Sequence, residues 1–155
     1  MKYLILILLL SSNCLASWKY EEEIDKMTDK TKKYLTVWSK EVVDRNEKAE
    51  LTIGKDGKNY YITISSPYAF DYSTSGRQCV DIRIDNKKQK KECFALSSDN
   101  HRLNSFSHNG EYQKLKKSIE SGDKIMISYH GLMGQIKIIE FDTSGLKSAF
   151  NEKMK

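Results

Sequence analysis

The sequence has few of the residues with which enzymes and metalloproteins build reactive sites. Its 155 residues include three histidines, three cysteines and one proline. The run that comes nearest to a phosphate loop, GKDGK at 54–58, lacks the spacing and the following helix of a P-loop. After residues 4–10, no apolar run approaches the roughly 20 residues of a membrane-spanning helix. The composition therefore predicts a protein without a cofactor and without a further transmembrane segment.

The three histidines do not form a recognisable catalytic or metal-binding motif. His101 and His108 share a polar stretch with Asp99 and several serines, so a Ser-His-Asp hydrolase is one hypothesis. No serine there stands in the GxSxG context of a nucleophile elbow, and a polar surface loop explains the same residues more simply. Metal-binding histidines are usually paired closely on one rigid element, which is not the pattern here. We therefore predict no catalytic residue, no metal site and no enzymatic activity.

Residues 1–16, MKYLILILLLSSNCLA, have the layout of a secretory signal peptide. Lys2 supplies the positive charge, an apolar run follows, and Ala16 is the small residue at the cleavage point. Cleavage after Ser17 is an equivalent alternative. Residues 17–155 then have the size of one domain, which we expect to be periplasmic or secreted.

The cysteine count agrees with export. Cys14 belongs to the predicted signal peptide, where acylation would make the protein a lipoprotein, but Asn13 is not the small residue such a site normally needs. Cleavage leaves Cys79 and Cys93, an even pair that predicts a disulfide in an oxidising compartment. Closing a loop of about 15 residues stabilises a fold by about 3 kcal/mol in the chain-entropy model. Two thiols without neighbouring histidines do not make a zinc site.

The net charge of +5 is spread along the chain. Lysines are interleaved with acidic residues in most segments, and the one dense basic run lies within 87–91. A solvated hairpin tip explains that run better than a phosphate-binding stripe. We therefore predict no nucleic-acid partner.

Alternation of apolar and polar residues predicts about seven short strands. They begin with TKKYLTVWS at 31–39, whereas residues 18–30 are expected to have little regular structure. AELTIG and NYYITIS flank a short Gly and Asp loop, which predicts a hairpin over 49–65. DKIMISYHG and GQIKIIEF predict another hairpin around 131–134.

A further hairpin is predicted from CVDIRID at 79–85 and KKECFAL at 90–96. In the register that its turn requires, Cys79 lies opposite Cys93, within disulfide reach. The apolar side chains of the first strand would enter the core, but the residues opposite them are charged. The pairs concerned are Val80 with Glu92, Ile82 with Lys90 and Ile84 with Lys88. The sequence therefore predicts that the tip projects beyond the packed body or that a bulge changes the register.

Two helices are predicted beside the strands. GEYQKLKKSIESG at 110–122 places Tyr112, Leu115 and Ile119 at helical spacing. The C-terminal DTSGLKSAFNEKMK predicts a short helix or a docking turn. Together these elements predict a mainly β (α+β) fold, a single-domain antiparallel β-sandwich with one amphipathic helix and a short C-terminal helix.

Aromatic and basic side chains are the candidate partner-binding residues. The aromatic group follows Pro67, the only proline, and its side chains lie on the same side of the segment if that segment is extended. Exposed aromatic clusters are typical anchors for protein partners, but core packing explains these residues more simply. The aromatic group is Tyr68, Phe70 and Tyr72, and the basic group is Lys88, Lys90 and Lys91.

CVDIRID, FALSSD and FDTSGL follow one another along the chain, after an early Trp18 and an acidic segment. In this order they resemble a periplasmic family found with type VI secretion systems, the TagO or VasI accessory proteins, and related exported proteins of phages and prophages. The matching residues are Val80, Arg83, Asp85, Phe94, Ser97 or Ser98, Asp99, Phe141, Asp142, Gly145, Leu146 and Ala149. The resemblance implies a non-enzymatic accessory or binding role with no established cofactor.

The same residues have structural interpretations that we favour over functional ones. Arg83 and Asp85 can form cross-strand pairs, and Asp142 can close a turn through its side-chain oxygens. Gly145 would supply backbone freedom, and Leu146 would enter the core.

Two binding hypotheses follow from the sequence. The first is an exported protein that binds or modulates another envelope protein. The alternative is a periplasmic inhibitor, an immunity protein or a phage superinfection-exclusion protein that blocks an envelope or cell-wall enzyme. In that alternative, the basic hairpin tip at 85–91 would plug an acidic cleft.

Overall fold

The computed structural model describes most of the chain after the predicted signal peptide. The described residues are 18–26, 28–44, 46–71, 75–107 and 110–154. The predicted signal peptide at 1–16, with Cys14 inside it, lies outside the described residues, and so do Tyr72 and His108.

Nine strands and two helices make up the described part of the chain. The strands are β1 (Lys19–Asp25), β2 (Lys30–Asp44), β3 (Glu47–Asp56), β4 (Asn59–Ser65), β5 (Arg77–Ile84), β6 (Lys90–Leu96), β7 (Arg102–Phe106), β8 (Lys124–His130) and β9 (Ile136–Asp142). The helices are α1 (Gly110–Glu120), between β7 and β8, and α2 (Leu146–Lys153), after β9. Within the described ranges, no helix has the length and hydropathy that crossing a membrane requires.

Eight strands close into one antiparallel barrel in the order β2-β3-β4-β7-β6-β5-β8-β9. The predicted β-sandwich is therefore wrong. Closure depends on β2, which pairs with β1 through its first residues and reaches β9 where Ser39 pairs with Phe141. A sandwich keeps two sheets with separate edges, whereas this long strand joins the two ends of a single sheet. A register shift between Trp38 and Val42 bends β2 at the closure point.

The ninth strand, β1, lies beside the barrel on β2. Residues 18–30 were expected to have little regular structure, and this expectation is wrong for 19–25. The pairing places Glu22 opposite Lys33 and Glu23 opposite Lys32. Among the described residues, the two carboxylates accept hydrogen bonds from the Tyr20 and Tyr34 hydroxyls and not from the lysines. The backbone ladder to β2 forms with polar residues as well, and apolar alternation does not detect a polar strand of this kind.

The barrel interior is filled by alternate side chains of its strands, as expected for an eight-stranded barrel. The fully buried apolar residues include Leu51, Ile53, Ile62, Ile64, Leu103, Ile125, Ile127 and Phe141. Because the strands twist around a common centre, these residues form one continuous core.

Different segments cover the two ends of the barrel. The amphipathic helix is confirmed as α1, and it buries Tyr112, Leu115 and Ile119 at one end. At the other end Phe70 is buried, with its ring centroid 4.4 Å from that of Tyr129. The predicted C-terminal helix is confirmed as α2.

The predicted hairpins are confirmed. β3 pairs with β4, β5 with β6 and β8 with β9. In the β5–β6 hairpin, Cys79 pairs with Cys93 and Ile82 with Lys90, which is the predicted register without a bulge. The Cys79–Cys93 disulfide is formed, with a Cα–Cα distance of 4.0 Å.

Candidate functional site

The aromatic candidates divide between core and surface. Phe70 is buried against Tyr129, so it serves the core and is not accessible to a partner. Tyr68 is half-buried, and the Lys137 ammonium lies 3.7 Å from its ring centroid. Tyr72 lies outside the described residues. Among the described aromatic candidates, Tyr68 is therefore the one that offers surface.

The basic candidates occupy the exposed tip of the β5–β6 hairpin. Lys88, Lys90 and Lys91 are all exposed. Lys90 shares the inward face of β6 with buried Phe94, whereas Lys91 points outward. These lysines therefore lie on two different faces of the tip.

The tip is fixed to the body by Asp85. Its carboxylate accepts hydrogen bonds from the backbone N–H groups of Asp123 and Lys124, each at 3.0 Å. Asp85 also adopts a left-handed φ of 49°, which aspartate tolerates better than most residues. Arg83 is exposed and donates to the Asp85 carbonyl at 3.2 Å. Both motif residues thus have local structural contacts.

The other motif residues also hold turns and the core. Asp99 accepts hydrogen bonds from Ser97 and from the His101 backbone, and these bonds lower the pKa of its carboxyl. Ser98 is exposed in the same turn. Asp142 accepts hydrogen bonds from the Ser144 backbone at 3.0 Å and hydroxyl at 2.7 Å. The remaining positions are Gly145, whose φ is 74°, the half-buried Ala149, and the buried side chains Val80, Phe94, Phe141 and Leu146.

The geometry around His101 does not assemble a hydrolase triad within the described ranges. Its Nδ1 lies 2.8 Å from the Ser66 carbonyl oxygen rather than from a serine hydroxyl. The Ser66 hydroxyl is itself buried and hydrogen-bonded to the Tyr129 hydroxyl at 2.7 Å. Asp99 contacts the backbone of His101, not its ring. In the described part of the chain, moreover, no three His, Cys, Asp or Glu residues group as metal ligands would.

A patch of exposed apolar side chains lies on the β8–β9 hairpin, and the sequence prediction did not include it. In the turn, Leu132 and Met133 are 54% and 91% exposed. On the outer face of β9, Ile136 and Ile138 are 64% and 67% exposed. We call these four residues the β9 patch. Neighbouring apolar side chains on a rigid sheet are typical of protein-docking sites.

The sequence does contain a signal for the β9 patch. In IKIIEF, apolar residues occupy both faces of one strand. Ile139 and Phe141 point into the barrel, and Ile136 and Ile138 point outward. A strand with one buried face needs only one apolar face, so packing of the barrel does not explain the outward isoleucines.

A charged groove of about 450 Å³ lies beside the patch, between β2 and β9. Across it, Lys40 Nζ is 2.7 Å from Glu140 Oε1, and Lys124 Nζ is 3.5 Å from Oε2. The hydrogen bond from Lys40 lowers the pKa of Glu140 and raises that of Lys40. Ile138 and Met126 line the same groove. The site therefore combines apolar surface with fixed charges of both signs.

No protein-family model, no curated protein and no solved structure matches this chain. The resemblance to the TagO and VasI accessory proteins therefore stays a prediction from the order of the motifs.

Proposed function

We propose that the protein is a non-enzymatic exported protein that binds and modulates another protein of the envelope. The signal-like sequence at 1–16 supports export. The disulfide between Cys79 and Cys93 supports an oxidising compartment. The motif order that resembles type VI secretion accessory proteins supports an accessory role in the same compartment.

The observation that carries the proposal is the β9 patch. Burying a Leu, Ile or Met side chain contributes about 1.5–3 kcal/mol, so a partner that covers all four residues gains a substantial anchor. Hot spots of this kind lie at the centre of an interface and are surrounded by polar contacts. Lys40 and Glu140 provide such polar groups next to Ile138.

The barrel is well suited to present this patch. Ile127 of β8 pairs with Ile139 of β9, and both are buried in the core. The outward side chains are therefore held by a strand whose other face is packed. Because this surface is already rigid, binding of a partner costs little conformational entropy here.

The basic tip supports the alternative, an inhibitor or immunity protein that blocks an envelope or cell-wall enzyme. Residues 86–91 are exposed without interruption and include four lysines. Asp85 fixes their position, so the tip is preorganised to enter an acidic cleft. The two hypotheses use different surfaces and can be separated by mutation.

The test is affinity capture of the tagged protein, after in-cell crosslinking, from the exported fraction of its native host. The double variant Ile136→Ser/Ile138→Ser removes the centre of the β9 patch. Ile24→Ser is the matched control, because Ile24 is 61% exposed on β1, outside the patch. We expect an envelope protein captured by the wild type and the control and lost from the double variant.

The alternative predicts a different result. If Lys88→Glu/Lys90→Glu/Lys91→Glu abolishes capture and the double isoleucine variant does not, the partner uses the basic tip. If all variants capture the same proteins, neither surface is a specific docking site and the proposal is overturned. Recovery of the native protein in the cytoplasm with free thiols would also overturn it.

A further inference from the structure

A small cavity opens between the β5–β6 hairpin and α1, at the barrel end opposite the β8–β9 turn. Its volume is about 160 Å³. The floor consists of three buried apolar side chains, Ile82, Ile84 and Leu115. The rim is polar and consists of Lys87, Lys88, Lys90, Glu92, Ser118 and Ser121. We call it the α1 cavity.

The α1 cavity exists because of the charged residues that fit the barrel core badly. Lys90 and Glu92 lie opposite Ile82 and Val80 on β5, in positions whose side chains face inward. Phe94, two residues further on, fills the core from the same face. At the end of the barrel Lys88 and Lys90 are exposed instead, so a cavity remains above the buried side chains of Ile82 and Ile84.

The rim carries an excess of positive charge. Three lysines and one carboxylate line the cavity. Lys87 donates to the Ser121 hydroxyl at 3.0 Å. Across the described residues, neither the Lys88 nor the Lys90 ammonium group forms an ion pair or a hydrogen bond, so both can turn to a ligand.

The walls of the cavity are fixed relative to each other. Asp85 joins the hairpin to the segment after α1 through the backbone of Asp123 and Lys124. Gly122 lies against the same contact, and a Cβ at that position would be 2.4 Å from Ile84 Cγ2. This close approach requires glycine and keeps the hairpin pressed against the end of α1.

We propose that the α1 cavity binds a small amphiphile with one anionic group on a short unbranched hydrocarbon chain. The apolar floor takes the chain, and Lys88 and Lys90 take the anion. The volume corresponds to about five water molecules at ~30 Å³ each, which suits a chain of about six carbons. This site is distinct from the β9 patch, so the inference goes beyond the proposed docking function.

The test uses hexanoate as the probe and the oxidised protein recovered from expression of the full chain. Binding is followed by NMR through the amide shifts of Ile82, Ile84 and Leu115 during titration. We expect saturable shifts at these residues. Each methylene removed from the chain should weaken binding about fourfold, the change that corresponds to about 0.8 kcal/mol.

Charge variants separate the cavity from general attraction to the basic tip. Lys90→Gln should weaken hexanoate binding several-fold. Lys91→Gln is the matched control, since it removes the same charge from the outward face of the same strand and should leave binding unchanged. Ser118→Phe fills the cavity from α1 and should abolish binding. Unchanged NMR shifts of the barrel amides in this variant would verify that its fold is intact.

Four results would overturn the proposal. Equal binding of hexanol would show that the anion is not recognised, and equal binding of acetate would show that the apolar floor is not used. Equal losses of hexanoate affinity in Lys90→Gln and Lys91→Gln would show that binding depends only on the general surface charge. Absence of saturable shifts at the cavity residues would exclude the site. None of these results affects the β9 patch, so the two proposals fail independently.

Discussion

Asp85 and Lys124 are joined by two reciprocal hydrogen bonds. The Asp85 N–H donates to the Lys124 carbonyl at 2.9 Å, and the Lys124 N–H donates to the Asp85 carboxylate at 3.0 Å. A third bond, from the Asp123 N–H, reaches the same carboxylate oxygen. One side chain thus connects the end of β5, the start of β8 and the segment that follows α1.

Replacing Asp85 should therefore lower the free energy of unfolding. Asp85→Ala leaves two partly solvent-accessible backbone donors without their acceptor and places alanine at a left-handed φ, which together should cost about 1–3 kcal/mol. Asp85→Asn keeps a carbonyl acceptor and tolerates that φ, so it should cost less. Urea denaturation of both variants measures the difference, and Asn86→Ala at the exposed tip is the control. Equal stability of Asp85→Ala and wild type would contradict this role.

The disulfide should contribute to stability in the expected range. Cys79→Ala/Cys93→Ala should lower the free energy of unfolding by about 3 kcal/mol, because the unfolded chain regains the freedom of the closed loop. Urea denaturation with and without a reductant measures this. The reductant should destabilise the wild type and leave the double variant unchanged. A wild type insensitive to complete reduction would show that the crosslink does not stabilise the fold.

Two buried tyrosines should respond differently to loss of the hydroxyl. The Tyr112 hydroxyl is buried with no hydrogen-bond partner among the described residues, and burial raises its pKa. Tyr112→Phe should therefore leave stability unchanged or raise it by up to about 1 kcal/mol. Tyr129→Phe is the matched comparison, because it breaks a 2.7 Å bond to Ser66 and should cost about 1 kcal/mol. Thermal denaturation of both variants measures this difference in stability. An equal loss of stability in the two variants would contradict the prediction.

The ion pair between Lys40 and Glu140 in the charged groove predicts how the Glu140 carboxyl titrates with acid. Lys40 lowers the pKa of Glu140 below its ordinary value of 4.5. A carboxyl whose pKa is lowered in the folded state stabilises the fold above its unfolded pKa, and this contribution is lost as the pH falls through the folded value. Carboxyl NMR should show Glu140 titrating low in the wild type and near its ordinary value in Lys40→Ala. Lys124→Ala should have a smaller effect, since that ammonium lies 3.5 Å away instead of 2.7 Å. A wild-type Glu140 that titrates normally would disprove the ion pair.

Local patterns predicted the local structure. The helical spacing of Tyr112, Leu115 and Ile119 predicted α1. The turn between 79–85 and 90–96 predicted the correct register of the β5–β6 hairpin and its disulfide. Each of these features is determined by residues close in sequence, where alternation and turn chemistry are informative.

Closure of the barrel could not be predicted in the same way. The pairing of Ser39 with Phe141 joins residues that are far apart in sequence, and no local alternation encodes it. β1 was missed because its polar segment has no apolar period, although its backbone pairs with β2 along 19–25. Phe70 was a surface candidate because its segment follows a proline, but the segment folds back over the barrel end and buries it.

The most direct test of the proposed function is site-specific photocrosslinking in cells. A photoreactive side chain at position 138, in the β9 patch, is compared with the same side chain at position 24 on β1. The docking proposal predicts one discrete adduct with an envelope protein from position 138 and none from position 24. Adducts of equal yield from both positions, or no adduct from 138 in exported and correctly oxidised protein, would contradict it.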